Sequence, residues 1–198
     1  MKAITLYRKG TMIPLLESDT ITAFTKKILI DRLNEQQAVP QFFSQQQFNI
    51  LTILCDLLMA QNPSERICNP AIAIDKRLAC NKTDGWRYDA MPEDTIAYKS
   101  ALDGIEAWAI EKYKKSFLVL FKYQRLHIMA MLQSGLLKKD IWLTIPSNIF
   151  FEELLAEVTA IFYSHPLVME EIGFTGMADA KGWDNIGLNE KDLIEQEL

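Results

Sequence analysis

Glycine is scarce in this chain and unevenly placed. Only 8 of 198 residues are glycine, well below the usual ~7%. Four of them, Gly173, Gly176, Gly182 and Gly187, fall within residues 173–187. Between residues 11 and 172 there are only Gly85, Gly104 and Gly135. Sheet folds turn often, and tight turns need residues that tolerate positive φ, glycine first among them. A body so poor in glycine is expected to be helical, and the C-terminal stretch is expected not to be. The predicted fold is all-α: a single-domain bundle of six or seven helices with an irregular glycine- and aromatic-rich tail. Residues 1–38 supply an N-terminal arm and first helix, 39–172 the helical core and 173–198 the tail.

The apolar spacing places the helices. Residues 1–18 read as a short strand or extended arm. Asp19 or Thr20 then caps a helix to about Asn34, with Ile21, Phe24, Ile28 and Leu33 at helical intervals. Ser44 followed by Gln47 is a capping box, with Phe42 or Phe43 before it to staple onto Phe48. The stripe Phe48, Leu51, Leu54, Cys55 and Leu58, widened by Ile50, Ile53 and Leu57, marks the helix that follows as central. Asn69-Pro70 reads as N-cap and first position of a helix through Leu78. Pro92, Glu93 and Asp94 open the longest helix, to about Tyr113, with Tyr98, Leu102, Ile105 and Trp108 along one side. A helix from about Phe121 to Ser134 stops at Gly135, and Trp142 lies in a linker. A last long helix runs from Phe150 to Tyr163, and Ser164-His165-Pro166 breaks it before a short turn ending at Gly173.

Composition removes several classes. The chain is 49% apolar and 24% charged, which is not the composition of a disordered or fibrous protein. Its net charge is −5, split unevenly: residues 1–139 carry 19 basic and 14 acidic side chains, whereas residues 140–198 carry Lys181 and Lys191 against twelve acids. An acidic total argues against nucleic acid, whose binding rests on neutralised phosphates. The most basic patch, Lys112, Lys114, Lys115, Lys122 and Arg125, reads first as cations at a helix C-terminus and a solvated face. No apolar run exceeds five residues, the length of Phe117 to Phe121, far short of the ~20 residues of a membrane span. Three cysteines, Cys55, Cys68 and Cys80, fit a reduced state better than a disulfide framework.

No pattern of known chemistry emerges. There is no phosphate-cradling Gly-x-Gly-x-x-Gly and no Gly-x-Ser-x-Gly nucleophile turn. His127 follows Gln124 and His165 follows Phe162 at the position a di-iron bundle reserves for glutamate. His127 reads as a partly buried helix residue and His165 as a capping residue at a helix break. Glu152, Glu153 and Glu157, like Glu170 and Glu171, read as solvated helix faces. What stands out is loop text rich in residues that dominate protein interfaces: Trp86, Arg87 and Tyr88 in one loop, and Phe174, Met177 and Trp183 in the tail, with Tyr163 and His165 between them. Large apolar groups on loops need a cover, either the chain's own core or a partner.

The same segments carry a family likeness over roughly residues 40–188. Phe42-Phe43-Ser44, Gly85-Trp86-Arg87-Tyr88, Pro92 and its helix, Gln124 to Leu132 and Phe150-Phe151-Glu152 come first. Tyr163-Ser164-His165-Pro166 and Gly173-Phe174-Thr175-Gly176 through Gly182-Trp183 follow. In this order the chain resembles the gluconate 2-dehydrogenase subunit 3 family, the small accessory subunits of flavin-dependent sugar and sugar-acid dehydrogenases. The resemblance implies a helical subunit with no cofactor or metal of its own. Such a subunit pairs with a large FAD-bearing flavoprotein of the glucose-methanol-choline type, often beside a haem-bearing cytochrome subunit, and stabilises or matures it. Many members carry a twin-arginine signal; none is seen here, so the expected address is cytoplasmic, or periplasmic if a partner carries the chain. The competing expectation is a stand-alone helical enzyme or small-ligand carrier with a pocket formed by His165, Tyr163 and Arg87.

Overall fold

The chain is known from a computed structural model that describes residues 12–19, 21–35, 39–83, 88–174 and 187–189. Its described residues form eight α-helices and no strand: α1 (Met12–Glu17), α2 (Ala23–Leu33), α3 (Gln45–Leu58), α4 (Pro70–Ala79), α5 (Asp94–Tyr113), α6 (Lys122–Gln133), α7 (Ser147–Tyr163) and α8 (Pro166–Ile172). Three 3-10 turns punctuate them at Pro63–Glu65, Phe117–Val119 and Asp140–Leu143. The all-α class is as composition predicts. The eighth helix is α1, in a stretch expected to be extended.

These helices belong to two compact units, one made of Gln37–Ile161 and the other of the two ends of the chain, Met1–Gln36 with Phe162–Leu198. In the larger unit α3 packs against α4 and α5. It starts where the capping box predicts: the Ser44 hydroxyl accepts the Gln47 N–H at 3.2 Å, and the Gln47 side chain accepts the Ser44 N–H at 3.0 Å. Leu51, Leu54 and Cys55 are fully buried beneath it, and burial pushes the Cys55 thiol far above its ordinary value. The lead-in to α3 is held by a residue from α4. Buried Asp75 accepts the backbone N–H groups of Gln41, Phe42 and Phe43 at 2.7, 3.0 and 2.9 Å.

α4 begins on its Asn69 cap, whose side-chain oxygen accepts the Ala71 N–H at 3.2 Å. α5 buries Tyr98, Leu102 and Ile105 as its stripe predicts. Gly104, on the same helix, has a packing reason. A Cβ there would lie 2.6 Å from Ile141 Cγ2 and 3.0 Å from Trp142 Cζ2, so the turn Asp140–Leu143 presses directly on the helix backbone. Trp142, read from sequence as a linker residue, is therefore buried. Gly135 takes φ 65° just beyond α6, and Gly173 takes φ 67° at the end of α8, the left-handed stops that glycine supplies without strain.

The smaller unit is built from α1, α2 and α8, each in contact with the other two. Met12, Leu16, Ile21 and Leu29 form its buried cluster, with Met169 of α8 packed against them. The first N–H of α1 donates to Glu170 Oε2 of α8 at 2.7 Å, a carboxylate where the helix dipole favours one. Thr22, not Asp19 or Thr20, caps α2, accepting the Thr25 N–H at 3.3 Å. Leu29 rather than Phe24 is its inward residue, Phe24 being 73% exposed.

Candidate functional site

A hollow of about 550 Å³ belongs to the larger unit and is walled by α4, α5 and α7. Arg77 of α4, Asp94 and Tyr98 of α5, and Glu157 of α7 line it, together with Glu152, Glu153 and Tyr88. Arg77 forks onto Glu157, with Nε at 2.7 Å from Oε1 and one terminal nitrogen at 2.9 Å from Oε2. Its other terminal nitrogen reaches Asp94 Oδ2 at 2.6 Å and the Lys82 carbonyl at 2.8 Å. The Tyr98 hydroxyl donates to Glu157 Oε2 at 2.5 Å.

Electrostatics tie this cluster together. Burial alone would lower the Arg77 guanidinium, but the hydrogen bonds and charges of Glu157, with help from Asp94, more than reverse that and hold it above its ordinary value. Burial first, and then the Glu157 charge, raise the Tyr98 hydroxyl well above the ordinary tyrosine range. Tyr98 therefore remains a proton donor, and the forked ion pair is of the bidentate kind that fixes geometry. Glu157, Asp94 and the Lys82 carbonyl occupy four of the five Arg77 N–H donors. Chemically the arrangement is a preset, acid-walled recess, fit to receive a donor or cationic group rather than to move protons. Among the described residues no group of three or more histidine, cysteine, aspartate or glutamate side chains is placed to hold a metal ion.

Sequence reasoning missed this cluster. Glu157, read with Glu152 and Glu153 as a solvated face, is instead held between Arg77 and Tyr98. The signal was present in the periodicity: Glu157 lies seven residues after buried Phe150, two turns along the same face, and next to buried Val158. A carboxylate on that face needs a cation or donor opposite it.

The sequence-predicted site residues are distributed as follows. Tyr88 lines the acid-walled recess. Tyr163 is exposed at the end of α7, its ring meeting Phe162 edge-on at 5.3 Å. His165 caps α8, its Nδ1 accepting the Leu167 N–H at 3.3 Å. Phe174 is exposed just past Gly173, and its N–H donates to the Met169 carbonyl at 2.8 Å. Trp86, Arg87, Met177 and Trp183 lie outside the described residues. His165 and Phe174 stand at opposite ends of the seven-residue α8, about 10 Å of helix apart. His127, expected to be partly buried, is exposed on α6, and its Nδ1 meets the Tyr113 hydroxyl at 2.6 Å.

No helix among the described residues is long and apolar enough to cross a membrane. No curated protein and no solved structure matches the chain. The profile of one protein family does, over residues 45–189, which takes in nearly all of the larger unit and the chain beyond it through Asn189. On that match the chain belongs to the gluconate 2-dehydrogenase subunit 3 family.

Proposed function

We propose that this chain is a non-catalytic accessory subunit that binds, and stabilises or matures, a large FAD-dependent dehydrogenase of the glucose-methanol-choline type acting on gluconate or a related sugar or polyol. The family match over residues 45–189 carries the reading. Two features support it. Arg77, Tyr98 and Glu157, the reactive side chains of the acid-walled recess, are committed to one another. Trp86 and Trp183 both fall inside the matched span and are of the type that anchors protein interfaces. In this reading the flavin belongs to the large subunit and any haem to a third, cytochrome subunit. The compartment is that of the large subunit.

Co-expression with a large flavoprotein dehydrogenase subunit of the glucose-methanol-choline type from the same genome tests it. The expected result is a co-purifying complex whose large subunit is less soluble or less flavin-loaded when the small chain is omitted. The small chain alone is expected to be colourless and without turnover. Trp86→Ala with Trp183→Ala is expected to weaken the complex by roughly thirtyfold or more. An unchanged complex would remove these two residues from the interface. A large subunit that matures equally well alone, or turnover of a polyol by the isolated chain, would overturn the reading.

A further inference from the structure

Between residues 112 and 139 the chain carries seven lysine or arginine residues and no carboxylate. The corner between α5 and α6 concentrates them. Phe117 and Leu120 anchor this corner in the core, and its backbone is tied down by the Phe117 N–H on Glu106 Oε2 at 2.9 Å and the Leu118 N–H on Ser116 Oγ at 3.3 Å. Val119 between them and Phe121 and Tyr123 just beyond face out, at 66%, 63% and 69% exposed. Phe121 and Tyr123 stack at 6.0 Å with their planes 10° apart, and Lys115 Nζ stands 5.9 Å from the Phe121 ring centre. Lys122 lies between the two rings in the chain and Lys114 precedes the turn, and both are exposed.

We propose that this corner is a docking face for an anionic lipid surface, with Phe121 and Tyr123 entering the headgroup layer and Lys114, Lys115 and Lys122 drawing in the phosphates. Two observations favour lipid over an acidic protein. Protein interfaces are enriched in arginine and depleted in lysine, whereas every exposed cation at the corner is lysine. Arg125 instead turns inward, donating to the Phe117 and Leu118 carbonyls. Further, the apolar side chains project from a firmly anchored turn, which suits a deformable layer that takes in aromatic rings at its polar boundary. The charge supplies long-range attraction and the rings supply grip, the two signals that reversible surface binding needs. The inference is independent of the accessory-subunit reading.

Sedimentation of the full chain with lipid vesicles tests it, using pure phosphatidylcholine against phosphatidylcholine containing about one-third phosphatidylglycerol. Binding to the anionic vesicles at low salt, with loss at high salt, is expected, and none to the neutral ones. Lys114→Glu with Lys115→Glu and Lys122→Glu is expected to weaken binding by about a hundredfold or more. Phe121→Ala with Tyr123→Ala is expected to weaken it by about tenfold while keeping the salt dependence. Lys27→Glu, a charge reversal at an exposed lysine of α2, leaves binding unchanged. Unaltered circular dichroism and melting of each variant separate lost binding from lost fold. Failure to bind anionic vesicles, equal binding to neutral ones, or wild-type binding by both multiple variants would overturn the proposal. So would substitutions that spare vesicle binding and break only a protein complex.

Discussion

At the scale of single residues, Gly104 and Tyr98 show how tightly the larger unit is specified. Gly104 lies mid-helix, where glycine is ordinarily less favourable than alanine by about 1 kcal/mol. It is kept there because Ile141 and Trp142 leave no room for a Cβ. Gly104→Ala is therefore expected to destabilise by about 1–3 kcal/mol despite its better helix propensity, read as a lower urea midpoint with unchanged slope. Tyr98→Phe removes only the hydroxyl that donates to Glu157. A hydrogen bond to a charged group contributes about 1.5–3 kcal/mol, so a loss of that order is expected in the same measurement. A loss below about 0.5 kcal/mol would mean that Arg77 alone holds Glu157.

At the scale of elements, the ends of helices carry the informative contacts. Asp75→Ala leaves three backbone N–H groups ahead of α3 without their acceptor. The expected loss is about 2–3 kcal/mol, with the faster amide exchange confined first to residues 41–43. At the start of α8, burial lowers the His165 imidazole below its ordinary value, outweighing the backbone hydrogen bond to Arg32 and the charge of Glu35, which pull it up. The unfolded chain then binds a proton more readily than the folded one. Stability is fully present above about pH 6.5 and falls as pH drops through the folded value. Protonation also removes the Nδ1 acceptor from the Leu167 N–H. His165→Asn, which keeps a capping acceptor without titrating, is expected to flatten the change in melting temperature between neutral and mildly acidic pH.

These examples also mark what the sequence could tell. The Ser44 box and the Asn69-Pro70 start are legible because donor and acceptor lie within three residues of each other. The Asp75 clasp spans more than 30 residues, Trp142 is buried by a helix far from it in the chain, and α1 is held by Glu170 from the opposite end. Local patterns carry no trace of such partners. Phe24 misled for the opposite reason: its spacing fits a helix face, but the packing partners lie on the face of Leu29. The recess was half legible, since Glu157 is in phase with Phe150 while Arg77, its counter-charge, is 80 residues away.

At the scale of the molecule, the two units differ in the size of their cores. The larger buries a continuous cluster that includes Phe117, Phe150, Leu54, Leu102 and Ile128. Among the described residues, the smaller has a buried cluster of four, Met12, Leu16, Ile21 and Leu29. Little buried apolar area means low local stability. Hydrogen exchange is therefore expected to run faster in α1, α2 and α8 than in α3 and α5, by roughly a hundredfold or more. Equal protection would mean that the units unfold as one.

The smaller unit is made from both ends of one chain, and this has a consequence for its birth on the ribosome. Its first helices emerge early, yet α8 follows only after about 130 further residues. At roughly 5–20 residues per second, α1 and α2 wait some ~6–25 seconds for the helix that completes their core. Met12, Leu16, Ile21 and Leu29 are uncovered for that interval while the larger unit is able to fold behind them. The nascent α1–α2 segment is thus a window for a chaperone, and one that closes as Glu170 arrives to meet Met12.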